Sequence, residues 1–390
     1  MTGSGLGVYG PDNGFGAYIH WPYCAKICPY CDFNVYSARH ADDASLLNAM
    51  VLDIERQAGE LSDHPPLNSI YLGGGTPSLL EPSQIAELIG QCEDKLGLSR
   101  DAEITLEANP NDILRSDLEG WHGAGVNRIS LGVQSLRNDA LVFLGRDHDA
   151  EAALKALSAS GDVFDNVSVD LIYARPGQAL SDWTAELQSI LSHGVRHISL
   201  YELTISEGTA FGRAEKRGSL VPMPEEDQAR LYEATNALME ASGLPAYEVS
   251  NHAASTQFES RHNHIYWASG DWLGIGPGAH GRVTKKSRRE ATYNYRKPRD
   301  YVQQITAGKT GNETADPLTQ EDTALEALSM GLRRSDGVDY IAVEALLGRE
   351  LDVANMVEFE EQHLIERQGP RLRLTAEGRL LADYVTHRLL

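Results

Sequence analysis

Four cysteines in 390 residues are too few for the disulfide framework of a secreted scaffold. Cationic residues are also scarce: 34 Lys and Arg against 56 Asp and Glu leave a formal net charge of −22. That balance excludes general nucleic-acid binding, which needs clustered Lys and Arg against phosphates. No apolar run approaches the roughly 18 residues of a membrane helix, and no basic-then-apolar segment opens the chain. A cytoplasmic protein with at most transient membrane contact is expected. Internal repeats and low-complexity tracts are absent too. What remains is an ordinary globular composition, 42% hydrophobic, in a chain long enough for a main domain and an appendage.

From about residue 16 to 205 short β-type runs alternate with longer amphipathic stretches. The runs are 16–21, 67–72, 102–108, 126–133, 166–173 and 196–203; the clearest helical patterns are 43–61 and 83–96. Such alternation implies a parallel sheet with right-handed crossovers, either an open doubly wound sheet or a partial barrel. In both, ligand-facing residues stand at the C-terminal ends of strands. After 205 the alternation stops. A helix at 225–242 and a strand-like run at 246–251 lead to "RHNHIYWASGDWLGIGPGAHG" (261–281), and the chain is helical from about 318. The last stretch resembles the hairpin and final helix of a winged-helix module. Residues 318–390 carry 14 Asp and Glu against 8 Lys and Arg, which favours packing or a protein partner over DNA. The expected divisions are an arm (1–15), the main α/β unit (16–215), an extension (216–315) and the C-terminal module (316–390).

Three of the four cysteines, Cys24, Cys28 and Cys31, share one short loop with the spacing C-x3-C-x2-C. A structural zinc site wants four closed ligands. Cys92 stands mid-helix among core-type positions, so closure would fall to His20, Asp32 or His40. A [4Fe–4S] cluster on three thiolates is the other choice, leaving one iron open to a ligand. The prolines and aromatics of "WPYCAKICPYCDF" (21–33) stiffen and desolvate the loop, which suits the cluster better.

"YLGGGTP" (71–77) follows the second run. Three glycines weaken a strand but let backbone approach a ligand, and the Lys of a P-loop is missing. Gly276-x-Gly278-x-x-Gly281 matches a dinucleotide pattern in letters only, since it opens no βαβ unit. Glu107, Gln134 and Asp170 end later runs on the same rim. Two carboxylates there suit an amine or ribose hydroxyls, and Arg146 suits a carboxylate. The basic stretch 285–299 reads as a solvated loop, or as a partner for a small anion.

With these residues in order, "YIHWPYC", "YLGGGTPSLL", "LEANP", "SLGVQSL", "VDLIYARPGQ" and "SRHNHIYW", the chain resembles the radical S-adenosylmethionine (radical SAM) superfamily over nearly its whole length. The match is to the branch that holds the coproporphyrinogen dehydrogenase HemN and the heme chaperone HemW. The resemblance implies an α/β fold, a partial (βα)6 barrel with a mainly helical, winged-helix-like C-terminal domain. It implies a [4Fe–4S] cluster on Cys24, Cys28 and Cys31. It places S-adenosyl-L-methionine (SAM) against Tyr18, Gly74, Gly75, Thr76, Glu107, Gln134, Arg146 and Asp170.

Within that branch the dehydrogenase has a further cysteine directly after the three ligands, where this chain has Phe33. The motif His262-Asn263-x-x-Tyr266-Trp267 belongs to the HemW side. The expectation is a heme-binding protein that delivers heme to acceptor hemoproteins and draws electrons from a flavodoxin- or ferredoxin-type donor. Coproporphyrinogen dehydrogenation in porphyrin biosynthesis is the alternative, and a zinc-stabilised interaction protein a third reading. His262, placed in an aromatic loop, is the expected heme ligand, with His264 a weaker one and the 285–299 segment facing the propionates. "ARPGQ" departs from the branch's usual Gly-Leu and puts Arg175 on the rim.

Overall fold

The computed structural model describes residues 8–61, 64–286 and 288–390, apart from the side chain of His40. The expected alternation is present: β1 (Phe15–Trp21), α1 (Asp43–Glu60), β2 (Leu67–Gly74), α2 (Pro82–Leu96), β3 (Leu98–Ala108), β4 (Arg128–Gln134), α3 (Ala150–Val163), β5 (Val167–Tyr173), α4 (Leu180–Leu191) and β6 (His197–Glu202). These six strands lie side by side in chain order, every neighbouring pair parallel.

The two faces of this sheet differ because side chains alternate along a strand. Ile70, Leu72, Leu106, Ile129, Leu131 and Leu171 point to one side, into a core shared with Met50 of α1, Leu88 of α2, Ala156 of α3 and Leu187 of α4. Each helix is amphipathic and buries that one stripe. The opposite face carries Ser69, Tyr71, Thr105, Glu107, Ser130, Ser168, Asp170 and Ser199. A face so polar needs ligands or hydrogen-bond partners to be stable inside a protein.

The chain then supplies α5 (Glu225–Ala241), β7 (Asn251–Ala253), α6 (Arg261–Trp267), β8 (Asp271–Ile275), β9 (His280–Lys285), β10 (Arg288–Asn294), α7 (Pro298–Thr306) and β11 (Asn312–Pro317). Strand β8 pairs parallel with the free side of β1, and β9, β10 and β11 follow antiparallel. Among the described residues the sheet runs β11-β10-β9-β8-β1-β2-β3-β4-β5-β6-β7, with β11 and β7 as separate edges. The architecture is α/β, a mixed sheet with a seven-stranded parallel part, β8 and β1 to β6, that does not close on itself. The strand expected at 246–251 starts only at Asn251. Before it the chain turns back, with Tyr247 N–H on Asn251 O at 3.1 Å and an isolated bridge from Ala246 to His252.

The extension shares its core with the main unit, since Met239, Leu273, Ile275 and Tyr301 belong to the same buried cluster. A second cluster belongs to the C-terminal region: α8 (Gln320–Gly331), β12 (Val338–Asp339), α9 (Tyr340–Leu347), α10 (Val353–Glu361), β13 (Ile365–Gln368), β14 (Arg371–Leu374) and α11 (Ala382–Leu389). Its three strands run β12-β14-β13 beside the helices, a winged-helix-like arrangement. Residues 8–14 are held in place: Gly10 N–H bonds Ser269 O at 2.9 Å, and Val8 packs on the second cluster. No described helix is long and apolar enough to cross a membrane.

The basic stretch is not uniformly solvated. Lys285 pairs with Glu60 and Glu290 at 3.1 and 3.4 Å, while Arg289 turns inward and is 2% exposed. Its guanidinium meets Asp271 at 3.1 Å, Glu326 of α8 at 3.3 Å, and the carbonyls of Ser269 and Gly270. Burial lowers the Arg289 pKa and raises that of Asp271, so desolvation outweighs pairing on both sides. Removing one partner leaves the others charged and unpaired. Arg289→Ala should therefore cost about 3–5 kcal/mol, read as a lower denaturation midpoint. A loss under about 0.5 kcal/mol, the range of an ordinary surface change, would show that this cluster does not tie the C-terminal region to the sheet.

Candidate functional site

Cys24, Cys28 and Cys31 line one cavity of about 470 Å³ at the C-terminal ends of the parallel strands. Seven of the eight residues expected at the SAM site line it with them: Gly74, Gly75, Thr76, Glu107, Gln134, Arg146 and Asp170. The eighth, Tyr18, faces a neighbouring cavity and bonds His20 Nδ1 at 3.0 Å.

The cysteine loop is clamped by residues remote in sequence. Asn34 Nδ2 donates to Pro277 O at 2.9 Å and Arg296 O at 2.8 Å, and Phe211 N–H bonds Pro29 O at 2.9 Å. All three loop thiols are free; burial pushes Cys24 up, and Cys31 up to about 11. Arg146 Nη1 reaches Cys28 Sγ at 3.4 Å, and its Nη2 donates to Asn109 Oδ1 and to Gly132 O. A fixed cation beside thiolates suits an electron-rich cluster. His20 does not close a zinc tetrahedron as packed: Tyr18 and Asn34 O occupy its nitrogens. Asp32 is exposed and accepts from Ser206 Oγ, and the His40 side chain lies outside the described residues. Cys92 is buried in α2, as expected.

The glycine run answers to the protein's own chain. A Cβ on Gly75 would stand 2.8 Å from Tyr23 O and 2.9 Å from Trp21 O. At Gly74, φ is +108° and a Cβ would stand 2.5 Å from the His20 ring. Apart from any approach to a ligand, the absence of a Cβ is required here by the protein's own chain. These glycines let the cysteine loop settle on β2.

Two carboxylates stand on the cavity face. Glu107 accepts from Tyr71 OH at 2.8 Å and Gly74 N–H at 3.0 Å. Burial pushes its pKa up to about 7; the Tyr71 bond opposes this and the Asp170 charge adds to it. Asp170 accepts from Ser130 Oγ at 2.8 Å and is likewise raised by burial. Two buried carboxylates with raised pKa values call for a cationic partner or a proton. Gln134 follows an irregularity in the β4–β5 register and has φ +64°. Non-glycine residues seldom adopt that conformation, and it recurs at functional sites. Its Oε1 and Arg146 Nε are buried without a hydrogen-bond partner. Unpaired acceptor, unpaired donor and paired carboxylates fit a zwitterionic ligand with hydroxyl groups.

Tyr71, Ser130 and Asn109 were not anticipated. The strand alternation contains a signal for the first two, since Tyr71 lies two residues before Gly73 and Ser130 four before Gln134. Arg175 is not on the ligand rim. It is 5% exposed and pairs with Glu186 of α4 at 2.9 Å, bracing the β5–α4 turn. His262 belongs to helix α6, not to a loop. Ser260 caps the helix, and the ring packs on the polar sheet face against Tyr71, centroids 5.0 Å apart. Ser69 Oγ meets its Nδ1 at 2.7 Å, and Tyr266 OH its Nε2 at 2.7 Å. Burial lowers its pKa to about 3. Ligation of iron by His262 would require opening one of those hydrogen bonds. His264 Nε2 is paired with Glu259 at 2.6 Å.

The Radical SAM superfamily profile matches residues 18–190, and that of the HemN C-terminal domain residues 318–381. The chain is 36% identical over 393 residues to the heme chaperone HemW of Mycobacterium tuberculosis, covering 97% of this chain and 96% of that protein. It is 35% identical over 387 residues to the mitochondrial radical S-adenosyl methionine domain-containing protein 1 of Bos taurus, covering 96% and 86%. The solved structure of coproporphyrinogen III oxidase (HemN) from Escherichia coli has the same fold, with a TM-score of 0.81 at 21% identity over 96% of this chain and 90% of that one.

Gly75→Ala should displace the Trp21–Tyr23 backbone and with it the cysteine loop, so less iron and sulfide is retained after anaerobic reconstitution. Gly90→Ala on α2, where a Cβ meets nothing within 4 Å, is the control. Equal loading of the two variants would show that the glycine run does not seat the loop.

Proposed function

This chain belongs to the radical SAM superfamily, on the branch of HemN and HemW, and from that premise we propose that it binds heme and delivers it to acceptor hemoproteins. In this reading Cys24, Cys28 and Cys31 hold a [4Fe–4S] cluster, and SAM occupies the cavity beside them. The observation that carries the choice within the branch is Phe33. It is 64% exposed, lines both the cysteine cavity and the cavity next to it, and stands where the dehydrogenase has a further cysteine. A phenyl ring ligates no metal and relays no hydrogen atom, but it offers an apolar surface to a flat macrocycle. The relatives named heme chaperones support the same reading. The HemN fold likeness alone would suit the dehydrogenase equally, which makes that activity the second reading.

The cluster supplies one-electron chemistry to SAM when both are bound. The protein's part is placement. Glu107 and Asp170 would take the ligand's ammonium and ribose hydroxyls, Gln134 Oε1 a hydroxyl donor, and the backbone of Gly74 and Gly75 the methionine part. Arg146 would neutralise charge between thiolate and carboxylate. Cys24, Cys28 and Cys31 would hold the cluster at the mouth of this cavity, beside the strand ends that line it. A cytoplasmic setting and a flavodoxin- or ferredoxin-type donor follow from the need for reduced thiols and an electron.

Anaerobic protein reconstituted with iron and sulfide should load about four of each per chain. It should bind heme with an imidazole-type Soret band and leave coproporphyrinogen unchanged in the presence of SAM and reductant. Cys24→Ala should lose the cluster and Cys92→Ala should keep it. Robust coproporphyrinogen conversion without heme binding would establish the dehydrogenase instead.

SAM binding should also depend on pH. Glu107 is protonated below about pH 7, and its ionised form is the one a cation prefers. Affinity should rise by up to about tenfold from pH 6 to 8 and flatten in Glu107→Gln. Without ligand the sign reverses: a raised carboxylate pKa stabilises the fold at low pH, and that stability is lost as pH rises through about 7. A pH-independent wild-type affinity would remove Glu107 from the site.

A further inference from the structure

A second cavity, of about 560 Å³, opens beside the cysteine cavity and shares Asp32, Phe33, Gly74 and Glu107 with it. Its other walls come from the segments that extend the sheet past β1. Trp267 ends α6, Trp272 lies on β8, His280 opens β9, and Tyr293 and Arg296 lie on and just after β10. The volume is in the range of sites that hold small organic ligands and cofactors. Three indole or phenol rings with Phe33 make walls suited to a broad flat ligand, and Arg296 is a cation suited to its carboxylates.

Two histidines line this space, and their surroundings differ. His20 has both ring nitrogens occupied, by Tyr18 OH and Asn34 O. His280 is exposed to the cavity, and among the described residues neither of its ring nitrogens is hydrogen-bonded. Its position is nonetheless fixed. The ring stacks on Tyr293, its β10 partner, with centroids 4.3 Å apart and planes at 25°. Its carbonyl accepts from Trp272 Nε1 at 3.0 Å. Gly274 on β8 leaves room for that carbonyl, since a Cβ there would stand 2.4 Å from it. An imidazole held by stacking and backbone alone, with neither ring nitrogen engaged, is prepared to bind a ligand from the cavity.

We propose that heme, on the reading above, enters this second cavity and that His280, not His262, ligates its iron, with Arg296 facing a propionate. Burial and the nearby Arg282 and Arg296 lower the His280 pKa, so the ring is neutral and its lone pair available at neutral pH. His262 would first have to give up Ser69 or Tyr266. Phe33 and Glu107 line both this cavity and the cysteine cavity. Cargo and SAM site would be neighbours across one residue layer.

The test is a heme titration of the reconstituted full chain, wild type beside His280→Ala and His262→Gln. The glutamine keeps hydrogen-bonding capacity in the buried position, so the fold and cluster absorbance should survive in both variants. His280→Ala should weaken heme binding at least tenfold and lose the imidazole-type Soret band. Added free imidazole should restore both, a rescue that a merely structural role would not give. His262→Gln should keep the wild-type spectrum. Wild-type spectra in His280→Ala with loss in His262→Gln would overturn the assignment while leaving the heme-binding reading intact. Absence of imidazole-ligated heme in the wild type would overturn both.

Discussion

The site depends on a backbone contact between two neighbouring strand ends. Gly75 N–H donates to Trp21 O at 2.7 Å, at the point where β1 turns into the cysteine loop. The approach is so close that any side chain on Gly75 would meet the carbonyls of Trp21 and Tyr23. Everything the loop carries is positioned from there. Cys24 comes to lie by Thr76, Cys28 by Arg146, and Asn34 reaches across to Pro277 and Arg296. A glycine run that weakens a strand locally is stable here because it forms the bed of the loop.

The second constraint is the unequal faces of the parallel sheet. One face is apolar and buried under four helices, which supplies most of the core. The other carries serines, two carboxylates and a tyrosine. Its polar atoms are satisfied in part by each other, as Tyr71 with Glu107 and Ser130 with Asp170. Gln134 Oε1 and Arg146 Nε are not, and both line the cysteine cavity without a partner. The raised pKa values of Glu107 and Asp170 have the same origin: burial keeps solvent from stabilising their charge.

Histidine and arginine in this fold divide by partner. His262, His197 and His20 are hydrogen-bonded at both nitrogens and act as polar struts between strands and helices. Arg175 and Arg289 are buried braces, one for the turn after β5 and one for the C-terminal region. His280 and Arg296 carry the same functional groups yet stand open to a cavity. Residue type alone does not separate the two classes; the surroundings do.

The sequence by itself determined the strand–helix alternation, the loop with three thiols and the rim order of Gly74, Glu107, Gln134 and Asp170. Periodicity and covalent spacing are local properties, so they are legible one segment at a time. It could not show that "RHNHIYW" is a helix with His262 sealed beneath it. Nor could it show that Arg175 and Arg289 turn inward, or that the strand after Tyr247 starts late. Those outcomes depend on residues far away in the chain: Ser69 lies 193 positions from His262, and Asn34 lies 262 from Arg296. Whether a polar side chain is a strut or a ligand is decided by which hydrogen-bond partners the tertiary fold brings to it.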